Sequence, residues 1–171
     1  MSSSQHRGTA MVELSATSPL SSPFRKAGAC ALLLLALTSL HHTYGAYIYQ
    51  TPWRLHIVHL AVPAAIIITA ALYVGRSRSG TMAGRVAIWL AAIVVLAFPV
   101  AMIGIYEGGW NHVVKNVAHF GFGTDAARFL FPEPVYRLPD DFLFELTGIA
   151  QFPLAIITAL NTINLLRRPT R

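Results

Sequence analysis

The chain has 171 residues, 54% of them hydrophobic and only 12% charged, with a formal net charge of +6 and a mean hydropathy of +0.53. Soluble domains carry about 25% charged residues, so this composition excludes a disordered chain and argues against an ordinary soluble enzyme. A nucleic-acid binder gathers its cations on one polar face, whereas here Lys and Arg stand in short groups between long apolar runs; the single cysteine, Cys30, excludes an intrachain disulfide or a Cys-rich metal site.

Residues 1–24 are polar and rich in Ser and Thr, and they are expected to form a disordered tail. The rest, 25–168, reads as one all-α integral membrane domain. A helix needs about 20 apolar residues to cross the hydrocarbon core. Four stretches meet that length, at about 27–49, 55–74, 86–106 and 142–166, and none contains Lys or Arg. The expected architecture is therefore a four-helix transmembrane bundle. A cleaved leader is the rival reading of the first span, but Tyr44 stands where a small residue is wanted.

Arg25 and Lys26 precede the first span, Arg76, Arg78 and Arg85 separate the second from the third, and Arg167, Arg168 and Arg171 follow the fourth. The first loop has only Arg54, and in the third loop acids outnumber cations. The positive-inside rule then places both termini in the cytoplasm and the odd loops on the exoplasmic side of a bacterial inner membrane or plasma membrane. Tyr44, Tyr47, Tyr49, Trp53, Tyr106, Trp110 and Tyr136 form an aromatic belt at the outer boundary. The third loop, 107–141, is too long for a plain connection. Its NHVVKNVAHF stretch has helical periodicity and reads as a short interfacial helix. Asp140 and Asp141 are placed to cap the fourth span. A weak echo links Ile48-Tyr49-Gln50-Thr51-Pro52-Trp53 with Ile105-Tyr106-Glu107-Gly108-Gly109-Trp110, as a duplicated hairpin would.

The functional signal is a segregation. Six of seven histidines, His41, His42, His56, His59, His112 and His119, and six of seven acids map to the exoplasmic half. Simple hydration would not select histidine. His41 and His42 lie roughly 21 to 23 Å into the first span at 1.5 Å per residue, where ionisable groups face the bundle interior or a cavity. His56, His59 and Pro63 share one helical face, and so do His112 and His119 on an ideal α-helix. Glu107 ends the third span, and Glu145 lies one turn inside the fourth.

Imidazole and carboxylate together suit iron, copper, zinc or manganese. Two helices could also hold a haem, and histidine titrates near neutral pH. Expected metal ligands are His56 and His59; His41, His42 and His119 are candidates for cofactor binding; Glu107, Glu145 and His112 are candidate catalytic groups. Arg54 reads as an interface anchor or as the cation for an anionic head group. The chain contains no HExxH, Walker, Rossmann, Gly-x-Ser-x-Gly, CxxC or CxxCH motif, which disfavours ATP-driven transport, hydride transfer and thiol chemistry. Two readings stand side by side. One is a membrane enzyme or redox protein acting on a small or lipid-like molecule. The other is a non-catalytic subunit or ligand-binding protein. A proton- or ion-coupled transporter ranks below both. The bilayer is the expected partner, with a homo-oligomer or larger membrane complex as a further one and nucleic acid as none.

Overall fold

A computed structural model describes residues 23–133 and 136–167. The expected tail lies outside them, except for Pro23 and Phe24, which open the first helix. The described residues form α1 (Pro23–Ile48), a 3-10 turn (Pro52–Leu55) leading into α2 (His56–Ser77), α3 (Met82–Gly121), α4 (Thr124–Leu130) and α5 (Phe142–Leu166), with no strand among them. Four helical stretches, Pro23–Ile48, Pro52–Ser77, Met82–Gly121 and Phe142–Leu166, are long and apolar enough to cross a membrane. This suggests a membrane protein.

Local chemistry sets the boundaries. Proline at the first helical position costs no hydrogen bond and presets φ, which suits the start of α1 at Pro23. After Ile48, Gln50 takes a left-handed φ of 53° and Pro52 lacks the N–H to continue the helix, so the chain turns back into α2. Gly80, at φ 83°, makes the next turn, and Thr81 caps α3 by accepting a hydrogen bond from the Gly84 N–H at 3.1 Å. Asp141 caps α5 through the Phe144 N–H at 2.8 Å. The two Ile-Tyr segments adopt unlike structures: 48–53 is the α1–α2 turn, and 105–110 is continuous helix.

Short connections make successive helices antiparallel neighbours. The helices close a ring in which α1 packs on α2 and α5, and α3 packs on α2 and α5. One end of the bundle therefore carries the cations Arg25, Lys26, Arg76, Arg78, Arg85 and Arg167, and the other carries the histidines. The main core is built from small and branched residues: Ala27, Ala31 and Leu35 of α1, Ala61, Ala64 and Ile68 of α2, and Ile88, Ala91 and Val95 of α3. Small residues let helices approach closely where lipid offers no hydrophobic gain. Polarity is inverted relative to a soluble bundle. Leu33, Leu40, Ile66, Trp89, Ile93 and Leu160 are each more than half exposed, while Thr38, His41, His112, Gln151, Thr158 and Thr162 are buried to 1% exposure or less. An apolar perimeter around a polar interior is the arrangement a bilayer favours.

The stretch 107–121, expected as loop with its own interfacial helix, instead continues α3 to Gly121. From Leu96 to Val114, around Pro99, the hydrogen bonding loosens to the i→i+5 pattern of a π-helix, which recurs over Val117–Gly121. Such segments are commonly single turns, and this one is far longer. Gly108 and Gly109 do not end it because α5 packs directly on them: a Cβ at Gly108 would stand 2.8 Å from the Phe152 backbone nitrogen. The short helix of the connection is α4, held against α3 by Ala118, Ala127 and Phe131 with Tyr136 and Leu138.

Helix α3 meets α5 most closely at Gly104, where an added Cβ would overlap Ala155. Gly104→Leu is expected to destabilise the fold by about 3 kcal/mol or more, beyond ordinary overpacking, read as a lowered thermal midpoint in detergent. Gly121→Ala, with open space around its Cβ, should shift stability by no more than about 0.5 kcal/mol.

Candidate metal centre

Three helices bring their polar residues to one point inside the histidine end. α1 supplies His41 and His42, α3 supplies Glu107 and His112, and α5 supplies Glu145 and Thr147. The carboxylate of Glu107 is the hub. Its Oε1 lies 3.9 Å from His41 Nε2, 4.0 Å from His42 Nε2 and 3.6 Å from His112 Nε2. Its other oxygen, Oε2, accepts a hydrogen bond from Asn111 Nδ2 at 2.8 Å. Donor atoms of His41, His42 and Glu107 all fall within 4.8 Å of one another, so the group could hold a metal ion. An ion with bonds of about 2.1 Å holds donors somewhat closer than this, and the side chains would close in slightly around it.

The π-type register explains the pairing on α3. Once the backbone bonds i→i+5, residues five apart stand nearly above one another, so Glu107 and His112 share a side. The same shift means that seven residues no longer complete two turns, and His119 leaves that side. His119 packs against the Phe120 ring with centroids 4.8 Å apart, and its Nδ1 is buried without a partner.

The far nitrogens are held in place. His41 Nδ1 lies 3.0 Å from Thr147 Oγ1. The Thr147 hydroxyl hydrogen is committed to the Leu143 or Phe144 carbonyl, so the hydroxyl accepts from His41 Nδ1–H and leaves Nε2 as a bare lone pair. His112 Nδ1 lies 2.8 Å from Glu145 Oε2. Glu145 is itself fixed by Lys115 Nζ at 2.9 Å and by the Asn116 amide. A carboxylate behind a histidine that points its other nitrogen into a site is the usual outer support of a metal ligand. Phe144 stacks on His41 with centroids 4.2 Å apart, and a Cβ at Gly148 would overlap the His112 ring. Aromatic cover and a missing side chain thus fix both rings.

The structure does not bring His56 and His59 into this cluster. Helix α2 turns Ala61, Ala64, Ile68 and Ala71 inward, because close packing needs small residues there, and the opposite face with His56, His59 and Pro63 is exposed. His56 bonds the Trp53 carbonyl at 2.7 Å and stacks on that indole. Sequence reasoning missed Lys115, Asn116, Asn111 and Thr147. Lys115 carried a signal, a lysine at i+3 from His112 on the polar side of the periodic stretch NHVVKNVAHF.

A cavity of about 440 Å³ adjoins the cluster. His42, Glu107 and His112 form part of its wall, Ile57, Leu60, Phe98, Met102 and Ile103 give it an apolar side, and Arg54, Lys115 and Arg137 stand on its polar side together with His56, which lines the cavity without joining the cluster. In a neighbouring pocket that shares Arg54 and Arg137 with it, Tyr49 donates to Asp140, and burial together with that carboxylate holds the phenol protonated well above its ordinary range. Tyr136 is shifted the same way by its hydrogen bond with Tyr106. No family model, curated protein or solved structure matches the chain.

Removing Glu145 would leave Lys115 buried and uncompensated. Breaking a buried ion pair from one side costs about 3–5 kcal/mol, and Glu145→Leu should lose stability on that scale in micellar unfolding. Adding Lys115→Met to it is expected to recover most of the loss, since both charges are then gone.

Proposed function

We propose that this is a membrane metalloprotein in which His41, His42 and Glu107 bind one divalent transition-metal ion, with His112 beside them and the neighbouring cavity holding a lipophilic substrate. One observation carries the reading: nitrogen lone pairs and a carboxylate oxygen face one another in a buried site. His41 Nε2 and both nitrogens of His42 are buried and lack any hydrogen-bond partner. Unpaired buried polar atoms are costly. A proton on His112 would satisfy Glu107 but leave His41 and His42 unpaired, whereas a cation satisfies all of them.

Two imidazoles and a carboxylate with room beside them are the donor set of non-haem iron(II) centres, and zinc accepts the same donors. A haem fits poorly, because the two-helix pair His41 and His112 has ring centroids only 4.8 Å apart, too close for a porphyrin to stand between them, and His41 and His42 are adjacent on one helix with rings at 89°. A structural metal is closed on all sides. Here the cavity reaches the donors, so an exchangeable ligand position faces it. That layout favours catalysis over storage, with the metal as Lewis acid or redox centre and His112 as the group best placed to move a proton toward Glu145.

Elemental analysis of detergent-purified protein tests this. Wild-type protein supplied with iron or zinc is expected to hold about one ion per chain, and His42→Ala and Glu107→Gln to hold less than a tenth of that. His59→Ala, on the exposed face, should leave the content unchanged. Metal-free wild-type protein after loading, or content indifferent to His42 and Glu107, would overturn the proposal.

A further inference from the structure

The cavity beside the cluster has the shape and charge of a site for an amphiphile. Helix α2 packs along the first half of α3 and diverges from its second half, and the cavity occupies the gap. Two of its apolar wall residues, Leu60 on α2 and Met102 on α3, are 52% and 56% exposed on the outside of the bundle, within spans long enough to cross the hydrocarbon. The gap therefore opens sideways, where acyl chains would lie.

The polar end is set by Arg54. Lys115 is paired with Glu145, and Arg137 is paired with Asp140 at 3.0 Å. Among the described residues Arg54 forms no ion pair within 4.0 Å. Its Nε donates to Thr51 Oγ1 at 2.9 Å, and its guanidinium is held among the Tyr49, Trp53 and Phe144 rings, 5.2–5.5 Å from their centroids. The guanidinium is thus positioned and half-buried, with its terminal nitrogens uncommitted. A guanidinium matches a carboxylate or phosphate through two parallel hydrogen bonds. A divalent ion on Glu107 would add net positive charge nearby and strengthen the same preference.

We infer that the cavity binds a single-chain amphiphile with an anionic head, taken up sideways from the bilayer, its head on Arg54 and its chain between α2 and α3 along Ile57, Leu60, Phe98 and Met102. A carboxylate head is favoured over a phosphate. The polar end of the cavity also contains Glu107, which leaves room for one anionic charge better than for two. This rests on the metal-centre reading only for what the bound chain meets at its head end; Arg54 and the apolar walls stand without it. A volume of about 440 Å³ falls within the roughly 300–1,000 Å³ of small-ligand sites.

Binding is measured by Trp fluorescence in micelles with dodecanoate, dodecyl phosphate and dodecanol, on protein whose metal content is determined in parallel. Dodecanoate is expected to bind more tightly than dodecanol. Arg54→Gln should weaken dodecanoate about tenfold or more, the range for a charge-assisted hydrogen bond, and leave dodecanol within about twofold. Met102→Trp, which fills the gap from the lipid side, should weaken both. Dodecyl phosphate bound more tightly than dodecanoate, with the same loss in Arg54→Gln, would overturn the carboxylate assignment in favour of a lipid phosphate. Metal-loaded wild-type protein that binds none of the three, or binds them equally with and without Arg54, would overturn the inference and leave the metal centre standing. Binding that follows Arg54 in a protein without metal would do the reverse.

Discussion

Lone pairs that face one another in a buried, weakly polar space need a positive charge between them, and the histidine end of this bundle is organised around that requirement. Three histidine Nε2 atoms look at one oxygen of Glu107 across 3.6–4.0 Å. Water could relieve such an arrangement only by making several hydrogen bonds at once. A metal ion relieves it directly, because each of these atoms is a donor to metals. The remaining polar groups act as supports: Thr147 fixes the ring of His41, Glu145 that of His112, and Lys115 and Asn116 fix Glu145.

The supports explain otherwise awkward features of the helices. Glu107 and His112 are five residues apart and would point apart on an α-helix, so α3 carries a wide, i→i+5-bonded segment through the site. Such a segment gives up good α-helical hydrogen bonding, and the close seam with α5 holds it in place. Gly104 and Gly108 allow that approach on one side, and Gly148 leaves room for the His112 ring on the other. The site and the helix seam are therefore one construction. A change that spreads α3 from α5 would move Glu107 and His112 from His41 and His42 together.

The cavity follows from the same geometry. Helix α3 leans toward α5 through its glycines and leaves α2 behind, and α2 is tied to the rest of the bundle through its small residues. The gap that remains is apolar where it meets the lipid-facing surface and polar where it reaches Glu107 and Arg54. The proposed metal centre, reached from the bilayer on one side and with Arg54 unpaired among the described residues at its edge, suits chemistry on molecules that live in the membrane.

The sequence by itself determined the four spans, the approximate ends of all but the third, which runs on to Gly121, and the sorting of cations from histidines and acids, because length, hydropathy and charge act locally and survive any packing. It also pointed to His41 and His42 as interior groups, since an imidazole deep in an apolar span has nowhere else to be satisfied. It could not decide which of the remaining histidines joins them. His56 and His59 make the more regular helical pattern, yet α2 presents alanines to its neighbours and turns that face outward. His112 and His119 look equivalent until the hydrogen-bond register of α3 is known. Lys115 looked like a loop cation until Glu145 was placed beside it. These choices depend on contacts between helices, and only the tertiary structure makes them.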